Sequence, residues 1–172
     1  LDFFVAVFHA VSAFCNAGFS TFSTNLEAYV TDPIVNFDTM ALVVIGGIGF
    51  IVIRDIRKVL THEKKHLSYH SKVVLGTTAS LIFGGALAFF LLEYNVSMAN
   101  LTIPQKIMAS LFQSVTPRTA GFDTIVQKQM TQGSQLITTF LMFVGASPAS
   151  TGGGLKTTTF FVLFATAFLY SD

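Results

Sequence analysis

The hydrophobic and polar positions divide the chain into long apolar runs joined by short polar segments. Residues 73–92 form an apolar stretch of 20 residues, which is the length that a membrane-spanning helix needs. Residues 38–53 predict a second spanning helix that continues to about residue 59. Two other runs, 1–15 and 107–115, are too short to cross a bilayer. We therefore expect both to enter the membrane as half-helices.

A similar polar segment follows each half-helix. Residues 16–21 (NAGFST) align with residues 119–124 (TAGFDT) at a constant offset of 103, and four of the six positions are identical. A helix whose partially negative C-terminal end enters the membrane, followed by extended backbone, offers carbonyl oxygens to a partly dehydrated monovalent cation. The glycines of these segments suit positive φ, and we expect Phe19 and Phe122 to pack against neighbouring helices. The repeat therefore predicts two walls of a selectivity filter.

Composition places the chain among membrane proteins. Of its 172 residues 52% are hydrophobic and 11% are charged, and its mean hydropathy is +0.65. A soluble domain carries about 25% charged residues. Six of the ten Lys and Arg residues lie within residues 54–72. By the positive-inside rule this segment is cytoplasmic and the next helix exits outside. Topology explains the basic segment, so we infer no nucleic-acid partner.

The same basic segment contains three regularly spaced histidines. His62, His66 and His70 recur every four residues, so on a helix they would share a face and could bind a metal ion. A solvated linker is the default interpretation, because no pattern of carboxylates supports a metal site. The single cysteine, Cys15, excludes an intrachain disulfide and a cysteine-based zinc site.

Apolar runs at 134–144 and 158–170 flank a polar, glycine-rich interruption. Pro148 removes a hydrogen-bond donor, and each glycine of the Gly-Gly-Gly run disfavours helix by roughly 1 kcal/mol relative to alanine. Non-helical backbone at membrane depth is tolerated only where it lines water or is buried in protein. We expect a loop that obstructs the pathway below the filter and moves to open it. Its candidate gating residues are Gly145, Ser147, Ser150, Thr151, Gly152, Gly153, Gly154 and Lys156.

The order of these motifs resembles the Trk/Ktr/HKT superfamily of potassium transporters. The Thr-Pro-Arg-Thr-Ala-Gly-Phe run at 116–122 and the Ser-Pro-Ala-Ser-Thr-Gly-Gly-Gly-Leu-Lys run from Ser147 are the most specific motifs, and they are most similar to the bacterial Ktr membrane subunit. The resemblance covers the whole chain. It implies an all-α integral membrane fold of repeated helix–pore-loop–helix units, with re-entrant half-helices and a broken transmembrane helix.

The resemblance also implies how the chain is divided. Residues 1–59 would be a partial repeat, 60–72 a cytoplasmic linker and 73–172 a second repeat. Four such repeats surround one pore in this superfamily, so we interpret the chain as an internal piece of a longer protein.

The resemblance assigns functional residues and partners. Potassium would bind backbone oxygens of Asn16, Ala17, Gly18, Thr119, Ala120 and Gly121, and residues 145–156 would be the intramembrane gate. The protein would be a homodimer in the lipid bilayer of the cell membrane, on a cytosolic nucleotide-binding regulatory ring. Potassium is the transported ion, with sodium as a coupling ion in many members. No covalently bound cofactor and no catalytic residue are implied.

Three other classes of protein fit the sequence less well. Gly-Gly-Gly-Leu-Lys-Thr is similar to a nucleotide-binding P-loop, but Leu155 stands where a glycine must precede the lysine. An intramembrane serine hydrolase would need Ser147 or Ser150 beside a base, for which His9 is the only candidate in an apolar run. A non-conducting assembly subunit would not need two matched half-helices that end in polar strands.

Overall fold

The computed structural model describes residues 2–169, and the regular elements of that part are helical. Two short 3-10 turns, Glu27–Tyr29 and Gln127–Gln129, lie in the connections. The predicted all-α class is therefore confirmed for the described residues. Their α-helices are α1 (Phe3–Phe14), α2 (Pro33–Ile48), α3 (Phe50–Leu60), α4 (Tyr69–Glu93), α5 (Ile103–Val115), α6 (Gln132–Phe143) and α7 (Thr157–Leu169).

Helix α4 is the longest element. Its 25 residues, at about 1.5 Å each, exceed the ~30 Å thickness of a bilayer core. Among residues 2–169 it is the one helix that is long and apolar enough to cross a membrane by itself. Ser68 begins the helix by accepting a hydrogen bond from the backbone N–H of Ser71. The predicted spanning run 73–92 thus lies entirely within one helix, which packs along α5 and also contacts α6 and α7.

The second predicted spanning helix is bent. Asp32 caps α2 by accepting from the backbone N–H groups of Ile34 and Val35, so the helix begins five residues before position 38. It ends at Gly49, where φ is 86°, and α3 leaves at an angle of 99°. The prediction of one continuous helix over residues 38–59 was wrong. Gly49 permits the bend, because its positive φ is a conformation that a helix cannot contain.

The two predicted half-helices are short. Helix α1 has 12 residues and α5 has 13, which is about 18–20 Å of helix and too little to cross a bilayer. Thr102 and Gln105 begin α5, since the Gln105 side chain accepts from the Thr102 backbone N–H, and Pro104 occupies its first turn.

The main apolar core lies between the two half-helices. It joins Ala13 of α1, Val43 of α2 and Phe112 of α5 with Phe122 of the second polar segment, all buried. Phe122 is fully buried, as predicted, whereas Phe19 is 69% exposed. The expectation that Phe19 packs against neighbouring helices was therefore wrong for the described residues. Phe122 lies among α1, α2 and α5, whereas no helix between residues 2 and 169 covers Phe19.

Asp55 organises the basic segment after α3. Its carboxylate accepts hydrogen bonds from the Ser68 backbone N–H at 2.7 Å and the Ser71 hydroxyl at 2.7 Å, and pairs with Lys64 Nζ at 3.1 Å. The segment between α3 and α4 is therefore tied to both helices. His62 lies in a turn at φ 60° and His66 lies outside any helix, so the three histidines share no helix face. The described residues contain no three-residue His, Cys, Asp or Glu cluster that could hold a metal.

The packing of Gly46 in α2 gives a direct test of this fold. An added Cβ would overlap the carbonyl oxygen of Phe14 and lie 3.0 Å from Asn16 Nδ2. Gly46→Ala should therefore destabilise the protein by about 1–3 kcal/mol, because backbone must shift. Gly84→Ala is the control, since no atom of residues 2–169 lies within 4 Å of a Cβ there. Thermal unfolding of the purified full-length protein measures both variants. Equal melting temperatures would contradict this packing.

Candidate ion pathway

The two polar segments adopt the same unusual backbone. In the first, φ is 52° at Asn16 and 70° at Gly18, and in the second it is 75° at Thr119 and 78° at Gly121. The alanine between each pair has negative φ. In an ordinary strand successive carbonyls alternate between two faces, whereas alternating positive and negative φ turns them toward one side. Positive φ at the β-branched Thr119 is strained by about 1–3 kcal/mol, a kind of strain that concentrates at functional sites.

The carbonyl oxygens of these segments are free to bind a ligand. Within residues 2–169, none of the carbonyls of residues 16–18 or 119–121 accepts a hydrogen bond. The next carbonyl in each segment does accept one. Ser12 Oγ donates to Phe19 O at 2.8 Å, and Thr116 Oγ1 donates to Phe122 O. The hydroxyls thus anchor the end of each segment to its own half-helix, and three carbonyls per segment stay unpaired.

The two segments lie against each other although they are about a hundred residues apart in sequence. A Cβ added to Gly18 would overlap the Ala120 carbonyl oxygen and come within 2.9 Å of Gly121 Cα. A Cβ added to Gly121 would lie 3.5 Å from Gly18 Cα. Ala17 and residues 119–121 also line one cleft of about 550 Å³, together with Gln113 and Thr138. The predicted filter residues are therefore brought together in one place.

Residues 144–156 form a folded loop between α6 and α7. A parallel bridge joins Val144 to Leu155, and the Ala146 N–H donates to Gly153 O at 3.0 Å. The hydroxyls of Ser147 and Thr157 are 2.9 Å apart and hold the start of α7 against the loop. The interruption that Pro148 and the glycines predicted is present, and the predicted broken helix is confirmed.

The loop fills the bend between α2 and α3. The N–H groups of Ser147 and Thr151 donate to the carbonyls of Gly47 (2.9 Å) and Gly46 (3.3 Å). The N–H of Phe50 in turn donates to Ala149 O at 2.9 Å. These groups would lack partners at a broken helix, so the loop satisfies backbone that the bend exposes. The contact between this loop and the bend was not predicted from the sequence, although the glycines of residues 46–49 (Gly-Gly-Ile-Gly) were the available signal.

The loop also contacts the first residue of each polar segment. Asn16 Nδ2 donates to Thr151 Oγ1 at 2.7 Å, and that hydroxyl donates to Phe14 O at 3.1 Å. A Cβ added to Gly152 would overlap Thr119 Oγ1, so the backbone of the loop touches the second segment. The loop therefore lies directly against both predicted filter segments, which the sequence alone did not show.

Two basic side chains bind carbonyls of the same loop. Lys156 Nζ donates to Gly152 O at 2.8 Å, and Arg118 Nη2 donates to Gly145 O at 3.5 Å. Arg118 is 8% exposed, and the one ion pair among residues 2–169 is Lys64 with Asp55, so Arg118 has no carboxylate partner there. Sequence reasoning did not identify Arg118 as a residue that joins the second segment to the loop.

His9 does not contact Ser147 or Ser150, the candidate nucleophiles of an intramembrane serine hydrolase. His9 Nε2 lies 2.9 Å from Ser20 Oγ, and its Nδ1 lies 2.8 Å from Val5 O. Ser150 Oγ donates to Ser147 O at 2.6 Å. A nucleophile and its base must lie within hydrogen-bond reach of each other, and these contacts do not bring His9 to Ser147 or Ser150.

The structure combines short helices that end in non-helical backbone with one spanning helix and one broken helix. This combination is typical of membrane proteins with pore loops. The model of one family, described as "TrkH: Cation transport protein", matches residues 1–170. The chain belongs to this family of integral membrane cation transport proteins.

Individual relatives agree with this assignment. The chain is 44% identical over 169 residues to Ktr system potassium uptake protein B of Bacillus subtilis. This alignment covers 97% of this chain and 38% of that protein. It is 43% identical over 159 residues to potassium/sodium uptake protein NtpJ of Enterococcus hirae, and that alignment covers 92% of this chain and 35% of NtpJ. The chain thus spans little more than a third of the length of these relatives.

A solved structure shares the fold. The crystal structure of the potassium transporter TrkH from Vibrio parahaemolyticus matches with a TM-score of 0.79 over 96% of this chain and 35% of that chain. The sequence identity is 23%, so the match shows the fold.

Proposed function

We propose that this chain forms two walls of the pore of a potassium uptake protein. The observation that carries the proposal is the pair of contacting segments, 16–18 and 119–121, with matched positive φ and carbonyls that accept no hydrogen bond within residues 2–169. Each segment follows the C-terminal end of a half-helix, where the partial negative charge favours a cation. Carbonyl oxygens arranged in this way replace the hydration shell of a monovalent cation.

Potassium is the substrate that the relatives favour. Two of them are named for potassium uptake and for potassium/sodium uptake, and both align with nearly all of this chain. We assign the filter to Asn16, Ala17, Gly18, Thr119, Ala120 and Gly121. Sodium is then a second ion, which couples to or competes with potassium. Two walls do not close a ring of carbonyls, so further filter segments complete the pore.

The gate in this proposal is the loop of residues 145–156. It lies against the first residue of each filter segment, and hydrogen bonds hold it there and against α2. Such a loop opens when a small number of contacts break, which suits a segment that must move during transport. Arg118 attaches the start of the loop through the Gly145 carbonyl, and Lys156 bonds to the Gly152 carbonyl within the loop.

The same proposal includes the surroundings of the pore. The protein lies in the cell membrane, with residues 54–72 on the cytoplasmic side, because the basic residues are concentrated there. The relative named protein B of the Ktr system indicates a system of more than one component. We propose that the full-length protein acts as a homodimer with a cytosolic nucleotide-binding regulatory ring. The partial repeat at 1–59, the linker at 60–72 and the repeat at 73–172 are the units of this arrangement.

A substitution at Gly121 tests the filter. Gly121→Ser in the full-length protein should lower the discrimination of potassium over sodium about tenfold, because a side chain at φ 78° costs of order 1–3 kcal/mol and moves the adjacent carbonyls. Uptake of rubidium and of radioactive sodium into transporter-deficient cells measures the ratio. Gly84→Ser is the matched control on α4, where a Cβ meets no atom within 4 Å in the described part of the chain. Unchanged discrimination in Gly121→Ser would remove the filter assignment.

A further inference from the structure

A small buried cavity lies behind the two filter segments. It is about 10 Å³, measured as the space open to the centre of a water-sized sphere. Three polar residues line it, each from a different element: Asn16 after α1, Thr78 on α4 and Arg118 after α5. The remaining lining comes from apolar residues of α2 and α5 and from Ala146 of the loop. A cavity that holds one water molecule needs roughly 10–15 Å³ by this measure.

Each of the three polar residues carries a buried atom that lacks a hydrogen-bond partner among residues 2–169. These atoms are Asn16 Oδ1, Thr78 Oγ1 and Arg118 Nε. The residues are 9%, 5% and 8% exposed. An unsatisfied buried polar atom costs about 1–3 kcal/mol, and three of them around one cavity are therefore expected to share a ligand.

The orientation of the Asn16 side chain is fixed by its neighbours. Thr151 Oγ1 donates its single proton to Phe14 O at 3.1 Å, so it must accept from the other side. Asn16 therefore presents its N–H₂ group to Thr151, at 2.7 Å, and its oxygen remains as the acceptor without a partner. With a flipped amide, Asn16 Oδ1 and Phe14 O would both have to accept the single proton of the Thr151 hydroxyl.

The set of donors and acceptors selects the chemistry of the ligand. Arg118 Nε is a donor, Asn16 Oδ1 is an acceptor, and the Thr78 hydroxyl can act as either. A metal cation cannot accept from the guanidinium and is repelled by its charge, and an anion cannot donate to the amide oxygen. A water molecule accepts from Arg118, donates to Asn16 and bonds to Thr78, which are three partners within the usual two to four.

We propose that this cavity is a binding site for one fixed water molecule, which joins Asn16, Thr78 and Arg118. The water links both filter segments to helix α4. Two of the residues that bind the water also contact the loop of residues 145–156. Asn16 bonds to Thr151, and Arg118 bonds to Gly145. The inference depends on the fold and not on the ion that the protein transports.

Structure determination of the full-length protein at a resolution that shows ordered water, about 2 Å, tests the site. The expected result is one density peak within about 2.6–3.2 Å of Arg118 Nε, Thr78 Oγ1 and Asn16 Oδ1. Absence of a peak, or side chains that close the cavity by bonding directly to each other, would overturn the proposal.

Variants of Thr78 provide the second test. Thr78→Val keeps the shape but removes the hydroxyl, and it should weaken or abolish the density peak and lower the melting temperature by about 2–4 °C. Thr78→Ser should restore both, and Thr77→Val, one residue along the same helix, should change neither. A peak that persists at full strength in Thr78→Val, at an unchanged melting temperature, would refute the assigned water site. If Thr78→Val does not fold, the peak in the wild type and in Thr78→Ser decides the question.

Discussion

Replacing Gly18 with alanine is expected to reduce potassium uptake by the full-length protein more than tenfold. Gly18 has φ 70°, at which any other residue is strained by about 1–3 kcal/mol. The added Cβ would also overlap the Ala120 carbonyl oxygen, one of the six proposed ion-binding groups. The two filter segments would have to separate, so carbonyls of both would move. Uptake into potassium-starved cells, normalised to the amount of protein in the membrane, measures the loss.

Two controls separate the causes of that loss. Gly121→Ala creates similar strain, at φ 78°, but its Cβ would lie 3.5 Å from Gly18 Cα and overlap no atom of residues 2–169. It should therefore reduce uptake less than Gly18→Ala. Gly84→Ala on α4, where no atom of those residues lies within 4 Å of a Cβ, should leave uptake unchanged. If Gly18→Ala transported as well as Gly84→Ala, the contact between the two segments would not belong to the pore.

The sequence predicted the parts of the site that depend on local chemistry. The apolar runs showed that α4 is long enough to span and that α1 and α5 are not, because the thickness of a bilayer sets how many residues can cross it. Positive φ was expected at Gly18 and Gly121, since glycine carries no Cβ penalty there. The interruption after α6 followed from Pro148 and three glycines, which disfavour helix by simple local rules.

Features that depend on tertiary contacts could not be predicted in the same way. Thr119 adopts positive φ against the preference of a β-branched residue, so no local rule indicates it. The bend at Gly49 depends on the loop of residues 145–156, whose Ala149 carbonyl accepts from Phe50 N–H. That loop is about a hundred residues further along the chain. The glycines of residues 46–49 (Gly-Gly-Ile-Gly) favoured close helix packing over a hinge, and Gly46 does pack closely, against Phe14 O.

The contacts of the loop connect the proposed filter with the proposed gate. Thr151 bonds to Asn16 and Phe14 at the first segment, while Gly152 touches Thr119 at the second. A movement of the loop must therefore break a contact at the first residue of each segment. Because both segments are also strained at that residue, we expect ion occupancy of the filter and position of the loop to influence each other.

Deletion of residues 150–153 is expected to raise potassium flux about tenfold in the full-length protein. The deletion removes the Thr151 hydrogen bonds to Asn16, Phe14 and Gly46, and it removes the Gly152 backbone that lies against Thr119. Hydrogen bonds contribute about 0.5–1.5 kcal/mol each, and 1.4 kcal/mol corresponds to a tenfold change in an open-to-closed equilibrium. Efflux of potassium from proteoliposomes under a fixed gradient measures the change without regulatory components.

A point substitution tests the same gate without shortening the chain. Thr151→Val keeps the backbone bond to Gly46 O but loses the hydroxyl bonds to Asn16 and Phe14, so its flux should rise about fivefold, between wild type and deletion. Thr139→Val on α6 is the control, because its hydroxyl bonds only to Gln135 O of its own helix among residues 2–169. The deletion also leaves the Gly46 carbonyl unpaired and lowers stability, so flux must be compared per folded protein. An equal flux in wild type, Thr151→Val and the deletion would show that ions do not pass the loop, since a segment that blocks the pathway cannot be removed without effect.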